Sequence, residues 1–379
     1  MNLFGDNEGA RDLLTAVRSR DGNRILHLLE TGVDVNARDA IGRTVLHWAC
    51  FEGLLPSVQL LLQRGADLNT RDREGYTALV HATEHNQETC AVALLEEGAD
   101  LHVKNGDGQT ALYWAAERGT PGLVRLLLER GADANVRSNG GWTPLMNAAS
   151  DGRRFCAFAL LDAGAHVNAC SNTGFTALYL AAQQGALAMV QHLMLQRGAD
   201  PNVRTELGET ALTIAAIHGY ESTALALVEA GAAVNAQNND GQTALHWASV
   251  RGLLSVVHML LQHNADPDRS DNWGETPVAF CRRIWNKCPD DAPSGFDEME
   301  QVPEFRQRAI IEALNTYPSR WRRRKLPVML RARHLERQDI RAGLHQDMQQ
   351  RKARELMWWL VSRPEEGQGG LYRHVVSFL

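Results

Sequence analysis

Apolar and polar residues return at a fixed interval along most of this chain. Each interval opens on a threonine, and successive threonines lie 33 residues apart, in one case 34. The set is Thr44, Thr77, Thr110, Thr143, Thr176, Thr210, Thr243 and Thr276. Small and apolar residues follow each one, as in residues 110–116. A threonine hydroxyl can accept a hydrogen bond from a free amide in the first turn of a helix, so the pattern predicts a short helix after every threonine.

Residues that end helices occur at two fixed places in each repeat. The first set, nine residues after the threonine, is Gly53, Asn86, Gly119, Gly152, Gly185, Gly219 and Gly252. The second set is Gly65, Gly98, Gly131, Gly164, Gly198, Gly231 and Asn264. Both residue types tolerate the left-handed backbone that follows many helices. An amphipathic run such as residues 58–62 separates the two stops, which predicts a second helix, and a polar hairpin tip follows it.

Three places depart from this regular pattern. Repeat six has one extra residue between Gly185 and Gly198, which predicts a bulge or a shifted register around Met194. Residues 10–37 form a variant first repeat with its apolar positions kept and several arginines on the other side, as expected for the capped end of an array. The ninth repeat lacks a second stop, so the array is expected to end near Cys288.

The repeat resembles the ankyrin repeat, whose pattern is Gly-x-Thr-Pro-Leu-His-x-Ala-Ala followed by Gly-Ala-Asp-x-Asn. The resemblance covers about three quarters of the chain, and a 33-residue period with fixed internal offsets is highly specific. It implies an all-α solenoid of about nine helix–loop–helix–hairpin units. We expect a capping repeat at residues 1–38, the array at 39–288, an acidic linker at 289–302 and a basic helical C-terminal region at 303–379.

The C-terminal region carries two distinct patterns. Phe305, Ile310, Ile311 and Leu314 predict one amphipathic helix. The basic residues Arg320, Arg322, Arg323, Arg324 and Lys325 have the composition of a nuclear-import or phosphate-contacting segment. Further on, Trp358 and Trp359 are too apolar for a solvated linker, so this region is expected either to pack on the last repeats or to meet a partner.

Composition narrows the class of protein. The chain is 44% hydrophobic and 22% charged with a net charge of -6, as in ordinary soluble folded proteins. No stretch is apolar enough to span a membrane, and residues 1–10 do not resemble a secretion signal, so a cytoplasmic location, or a nuclear one, is expected. The charge balance makes nucleic acid an unsuitable ligand for the array, although the basic C-terminal region could bind it.

Candidate chemistry is sparse. No phosphate-binding loop, nucleophile motif or zinc-protease motif is present, so we expect neither an enzyme nor a cofactor. His81 and His85 lie four residues apart, on one face of a predicted helix. Without a third ligand at a suitable spacing they are interpreted as groove-lining histidines, and no metal site is expected.

The resemblance implies a concave binding face and exposed hairpin tips. The residue before each first stop should lie on the concave face, which gives a row of mixed charge that suits a protein surface: Glu52, His85, Arg118, Asp151, Gln184, His218 and Arg251. We call it the groove row. Aromatic residues at the tips, Tyr76, Trp142, Phe175 and Trp273, are expected to contact a partner, the alternative being packing against the next hairpin. Neighbouring tip positions add the apolar residues Ile41 and Leu207.

These observations favour a monomeric, non-catalytic scaffold or adaptor that binds one or more proteins through the concave face and the tips. Two alternatives remain open: an adaptor that recruits substrates for ubiquitination, and a nucleic-acid-associated regulator acting through the basic C-terminal region. Asn69 and Asn135 also resemble ankyrin asparagines that are hydroxylated in animal cells, so both are candidate modification sites.

Overall fold

The computed structural model describes residues 8–286 and 302–316, and within these ranges every regular element is helical. The helices are α1 Glu8–Arg18, α2 Gly22–Glu30, α3 Val45–Phe51, α4 Leu55–Gln63, α5 Ala78–Glu84, α6 Glu88–Glu96, α7 Ala111–Arg118, α8 Pro121–Glu129, α9 Pro144–Ser150, α10 Arg154–Asp162, α11 Ala177–Gln183, α12 Leu187–Gln191, α13 Ala211–His218, α14 Glu221–Glu229, α15 Ala244–Val250, α16 Leu254–Gln262, α17 Pro277–Trp285 and α18, residues 304–316. The predicted all-α solenoid is confirmed.

Two layers of helices build the solenoid. From α3 to α17, the odd-numbered helices form an inner layer in which each helix contacts the inner helix of the next repeat. The even-numbered helices form an outer layer, and each of them packs on the inner helix of its own repeat. The main cluster of buried apolar side chains runs from Ala10 in α1 to Leu314 in α18, and a smaller one joins α15 to α17 through Val250 and Phe280. The core is therefore linear, and each repeat depends on its neighbours to bury its apolar faces.

The threonines begin the inner helices as the sequence predicts. The Thr143 hydroxyl accepts a hydrogen bond from the Met146 amide at 3.3 Å, and the other threonines of the set cap their helices in the same way or with a histidine. In α3 and α15, the imidazoles of His47 and His246 also accept from the amide of the capping threonine. Each cap satisfies an amide that the helix itself cannot pair.

The helix stops are confirmed by the backbone of the two exceptional residues. Asn86 has φ 59° and Asn264 has φ 67°, the left-handed conformation that glycine adopts at the other stops.

Neighbouring hairpin tips are joined by backbone hydrogen bonds. The Gly106 amide donates to the Glu74 carbonyl at 2.7 Å, and the Asn139 amide donates to the Asp107 carbonyl at 2.8 Å. The tips thus form a continuous hydrogen-bonded edge along these repeats.

The extra residue of repeat six is absorbed in its outer helix. After α12, residues His192–Gln196 form one turn of π-helix, with Met194 at its centre, which confirms the predicted bulge. Leu195 in this turn exposes 75% of its surface, whereas Leu193 is buried. The wider turn displaces the extra residue into solvent and restores the register before Gly198.

Deleting Leu195 should therefore leave the protein as stable as the wild type, or stabilise it by up to about 1 kcal/mol, because an α-helix replaces the π-turn. Urea denaturation checks this. Deleting Arg125, an exposed residue in the regular helix α8, is the matched control. It rotates the rest of α8 by about 100° and removes Leu127 from the core, which should cost more than about 3 kcal/mol. Equal losses for both deletions would contradict the assignment of the extra residue to the π-turn.

The ninth repeat acquires an outer helix from beyond the regular array. A Cβ added to Gly252 would lie 2.8 Å from Cγ1 of Val302, two residues before α18. In earlier repeats the equivalent glycines, Gly53, Gly119 and Gly185, face the residue just before the next outer helix, namely Gln87, Arg153 and Tyr220. Val302 takes the place of those residues, so α18 occupies the outer-helix position beside α16.

This placement changes where the array ends. The sequence pattern stops near Cys288, but residues 302–316 belong to the same compact unit as the repeats, which extends over residues 1–317. Ile310 and Leu314 of α18 are fully buried, as the amphipathic pattern predicts, whereas Phe305 exposes 70% of its surface. Residues 318–379 lie outside the described residues.

Candidate partner-binding surface

The groove row lies at the ends of the inner helices, and several of its members link adjacent repeats. Nε of Arg18 is 2.6 Å from Oε1 of Glu52, an ion pair between the first and second repeats. Arg118 and Arg251 donate from Nε to the carbonyl oxygens of Glu84 and Ile217, each in the preceding repeat, at 2.6 and 2.5 Å. These charges stabilise the stacking of the array as well as lining its surface.

Other members of the row are more available to a ligand. Asp151 and His218 are both exposed. Partial burial of the ring lowers the pKa of His218, and the nearby positive charge of Arg251 lowers it further. His218 also stacks on Tyr220, with ring centroids 5.9 Å apart. The row therefore contains both residues that link adjacent repeats and residues that face solvent.

A pocket of about 270 Å³ lies between repeats four and five. Its lining consists of Tyr113, Glu117, Trp142, Asn147, Ser150 and Asp151. Trp142 and Asp151 are among the residues predicted from the sequence, and the structure brings them together. The other four were missed. Tyr113 and Glu117 lie one helical turn apart on the same face of α7, and this spacing is the signal that could have found those two.

The pocket combines aromatic walls with carboxylates. Burial raises the pKa of Glu117; the positive charge of Arg118 opposes this rise, and the negative charge of Asp151 adds to it. Nδ2 of Asn147 lies 3.5 Å from Oε2 of Glu117. Two carboxylates near one another beside aromatic rings favour a positively charged guest, because such a guest would relieve their repulsion and contact the ring faces.

Three of the four predicted tip aromatics are only partly exposed. The ring of Tyr76 stacks on that of His81, with centroids 5.0 Å apart. Trp142 and Phe175 contact each other edge to face at 6.2 Å, and Phe175 also contacts Tyr179 at 5.2 Å. All three side chains therefore bury part of their surface in local packing, the alternative to partner contact, and leave the rest exposed.

The remaining tip residues are exposed. Trp273 exposes 65% of its surface and Leu207 exposes 63%, while Ile41 exposes 41%. These apolar side chains project from tips in different repeats. They leave apolar surface available for a partner along the edge that the hairpins form.

Asn69 and Asn135 have structural roles between repeats. Oδ1 of Asn69 accepts from the Asp100 amide at 2.8 Å, and Oδ1 of Asn135 accepts from the His166 amide at 2.7 Å. Each carboxamide therefore binds the loop of the next repeat, which accounts for asparagine at this place in the pattern. Their hydroxylation stays a prediction.

The basic cluster Arg320, Arg322, Arg323, Arg324 and Lys325 lies outside the described residues, so its predicted roles in import or phosphate contact remain predictions. The expected cytoplasmic or nuclear location stays a prediction in the same way. Within residues 8–286 and 302–316, no helix has the length and apolar character needed to cross a bilayer.

Comparison with known proteins agrees with the geometry of the repeats. No curated protein matches the chain in sequence. The family model for ankyrin repeats (three copies) matches four overlapping segments, residues 13–105, 90–171, 112–205 and 178–271. These segments extend over more than half of the chain and coincide with the helix pairs described above. The chain belongs to the ankyrin-repeat family.

Proposed function

We propose that this protein is a non-catalytic scaffold or adaptor that binds partner proteins through the groove row and the hairpin tips. Membership of the ankyrin-repeat family supports a protein partner, because these repeats are general modules for protein–protein interaction. The mixed charge of the groove row supports the same conclusion, since alternating signs suit a protein surface better than a phosphate backbone.

The single observation that carries the proposal is the pocket between repeats four and five. Glu117 and Asp151 supply carboxylates, and Tyr113 and Trp142 supply aromatic surface. A lysine or arginine side chain suits both the carboxylates and the aromatic rings, because its charge pairs with the carboxylates while its stem or guanidinium packs on the rings. The partner therefore presents a basic side chain to this pocket, and its neighbouring residues contact the groove row.

The test is a selection of peptides from a random displayed library with the full-length protein. Selected peptides should share a lysine or arginine, and changing that residue to alanine should abolish binding. Asp151→Asn removes a charge from the pocket at an exposed position, so it should weaken the selected peptides at least about 10-fold, or about 1.4 kcal/mol, without affecting the fold.

Glu129→Gln is the matched control, because it removes one negative charge from an exposed residue at the end of α8, an outer helix of repeat four. It should leave peptide affinity unchanged. Selected peptides without a common basic residue would refute the pocket as the recognition site. Equal losses for Asp151→Asn and Glu129→Gln would show that only overall charge matters.

A further inference from the structure

A cluster of metal-ligating side chains lies on the inner helix of repeat three. One ring nitrogen each of His81 and His85 and a carboxylate oxygen of Glu84 all lie within 4.8 Å of one another. His81 and Glu84 belong to α5, and His85 directly follows it. Residues three and four apart share one face of a helix, so Glu84 supplies the third ligand that the histidine spacing alone did not reveal.

His81 is already oriented as a metal ligand. Its side chain is 2% exposed, and its Nε2 lies 3.0 Å from Oδ2 of Asp72. Asp72 also accepts from Nε of Arg43 at 3.1 Å, which keeps this carboxylate ionised. Nε2 of His81 therefore carries the proton, and Nδ1 presents its lone pair on the opposite side of the ring.

That Nδ1 atom is the strongest sign of a ligand. It is buried and has no hydrogen-bond partner among the described residues. Its nearest charged neighbour is Oε2 of Glu84 at 3.8 Å. Buried polar atoms are normally paired, and a histidine held by a carboxylate through one nitrogen commonly binds a metal through the other. A cation between Nδ1 and Glu84 would satisfy both groups.

The other two ligands are close to the geometry that a tetrahedral ion requires. Oε2 of Glu84 is 3.8 Å from Nδ1 of each histidine. Nδ1 of His85 also lies 3.1 Å from the His81 carbonyl, so a metal bound at this nitrogen replaces that hydrogen bond. Bonds of about 2.0 to 2.1 Å place the donor atoms of a tetrahedral zinc site about 3.4 Å apart, so small rotations close the site. Both side chains can make them, since that of Glu84 is 21% exposed and that of His85 is 32% exposed. The ring of Phe51, 4.0 Å from that of His85, limits how far the imidazole can swing.

We propose that His81, Glu84 and His85 bind a zinc ion, with Asp72 orienting His81 and the fourth coordination position open to solvent. Two imidazoles and one carboxylate suit Zn²⁺, whereas Ca²⁺ and Mg²⁺ prefer sites made of oxygen ligands. The open position is filled by water, or by a donor from a bound partner. The site is independent of the proposed basic-side-chain pocket, and metal binding needs no partner.

The experiment is calorimetric titration of the metal-free full-length protein with Zn²⁺, repeated with Co²⁺ while the visible absorption of tetrahedral cobalt is recorded. The wild type should show a zinc-binding event and a cobalt band that His85→Ala and Glu84→Gln both weaken. The affinity lost in each variant should be at least the roughly 10-fold that the loss of an outer-shell partner costs. Circular dichroism confirms that each variant is folded.

His218→Ala is the matched control. His218 holds the equivalent position in repeat seven, but Ile214 stands where repeat three has His81, so no second imidazole is available there. This variant should bind zinc and cobalt as the wild type does. The proposal is overturned if the wild type shows no tetrahedral cobalt band, or if His85→Ala and His218→Ala bind zinc equally well.

Discussion

Replacing Leu314 by alanine should release α18 from the end of the array. Leu314 is 1% exposed within the continuous core, and truncating a buried leucine costs about 3 kcal/mol through lost transfer energy and the cavity left behind. The loss of stability should be confined to the end of the array, because each element of a solenoid depends only on its neighbours. Native-state hydrogen exchange should show amide protection in residues 304–316 falling about 100-fold, while α5 to α10 keep theirs.

Phe305→Ala is the control on the same helix. Phe305 exposes 70% of its surface, so its truncation should change the free energy of unfolding by less than about 0.5 kcal/mol. If both substitutions left the protection of α18 unchanged, the helix would not be part of the array's core. If both lowered it equally, the buried face assigned to Leu314 would be wrong.

The regular features of this fold could be predicted because their causes are local. A threonine caps the helix that begins at the next residue, through the amide three residues ahead of it. Glycine or asparagine ends a helix through its own backbone, so both signals repeat wherever the unit repeats. Even the π-turn at His192–Gln196 follows from counting one residue too many between two stops. Each of these predictions depends on fewer than about fifteen consecutive residues.

The features that were missed depend on residues that are distant in sequence. α18 completes the ninth repeat only after the intervening residues 287–301, so no offset from Thr276 indicates it. The pocket joins Tyr113 and Glu117 of one repeat to Trp142 and Asp151 of the next. Stacking of repeats decides both. Glu84 is a different case, since it lies only three residues after His81. Only the buried Nδ1 of His81, which is unpaired within the described residues and which no spacing reveals, marks it as a ligand.

Asp72 itself is the centre of a buried polar network, with a side chain that is 1% exposed. Its Oδ1 accepts from the amides of Glu74 and Tyr76 at 3.0 and 2.8 Å, which shapes the hairpin turn. Its Oδ2 accepts from Nε of Arg43 and Nε2 of His81. One oxygen therefore builds the turn, and the other joins two neighbouring repeats.

Asp72→Asn should separate these two roles and destabilise the protein by about 2 to 3 kcal/mol at neutral pH. Asparagine keeps the Oδ1 acceptor, as Asn105 does at the same place in the next repeat. It replaces Oδ2 by an amide group that repels the donors of Arg43 and His81. Urea denaturation gives the change in the free energy of unfolding.

Asp271→Asn is the matched control for this substitution. The Oδ1 atom of Asp271 accepts from the amides of Trp273 and Glu275, at 3.0 and 2.8 Å, as in repeat three. Its Oδ2 is buried without a hydrogen-bond partner among the described residues, so the amide group of asparagine loses no contact there. The expected change is below about 0.5 kcal/mol. Equal costs at the two sites would mean that Oδ2 of Asp72 contributes nothing.

The pH dependence of the Asp72→Asn cost identifies its cause. Burial alone raises the pKa of Asp72, but hydrogen bonds from His81, the Tyr76 amide and Arg43 outweigh it and hold the pKa at about 2, below the ordinary 3.8. As the pH falls, Asp72 therefore takes up a proton in the unfolded chain before it does so in the folded protein. The Asp72 carboxylate thus contributes about 2 kcal/mol of stability above pH 5, and about half of this is lost by pH 3. His47, whose pKa burial and His81 lower to about 4 from 6.5, acts with the same sign in a higher window. The loss of unfolding free energy caused by Asp72→Asn should thus stay constant from pH 7 to 5 and shrink by about 1 kcal/mol between pH 5 and 3. A constant loss down to pH 3 would show that the charge of Asp72 does not stabilise the fold.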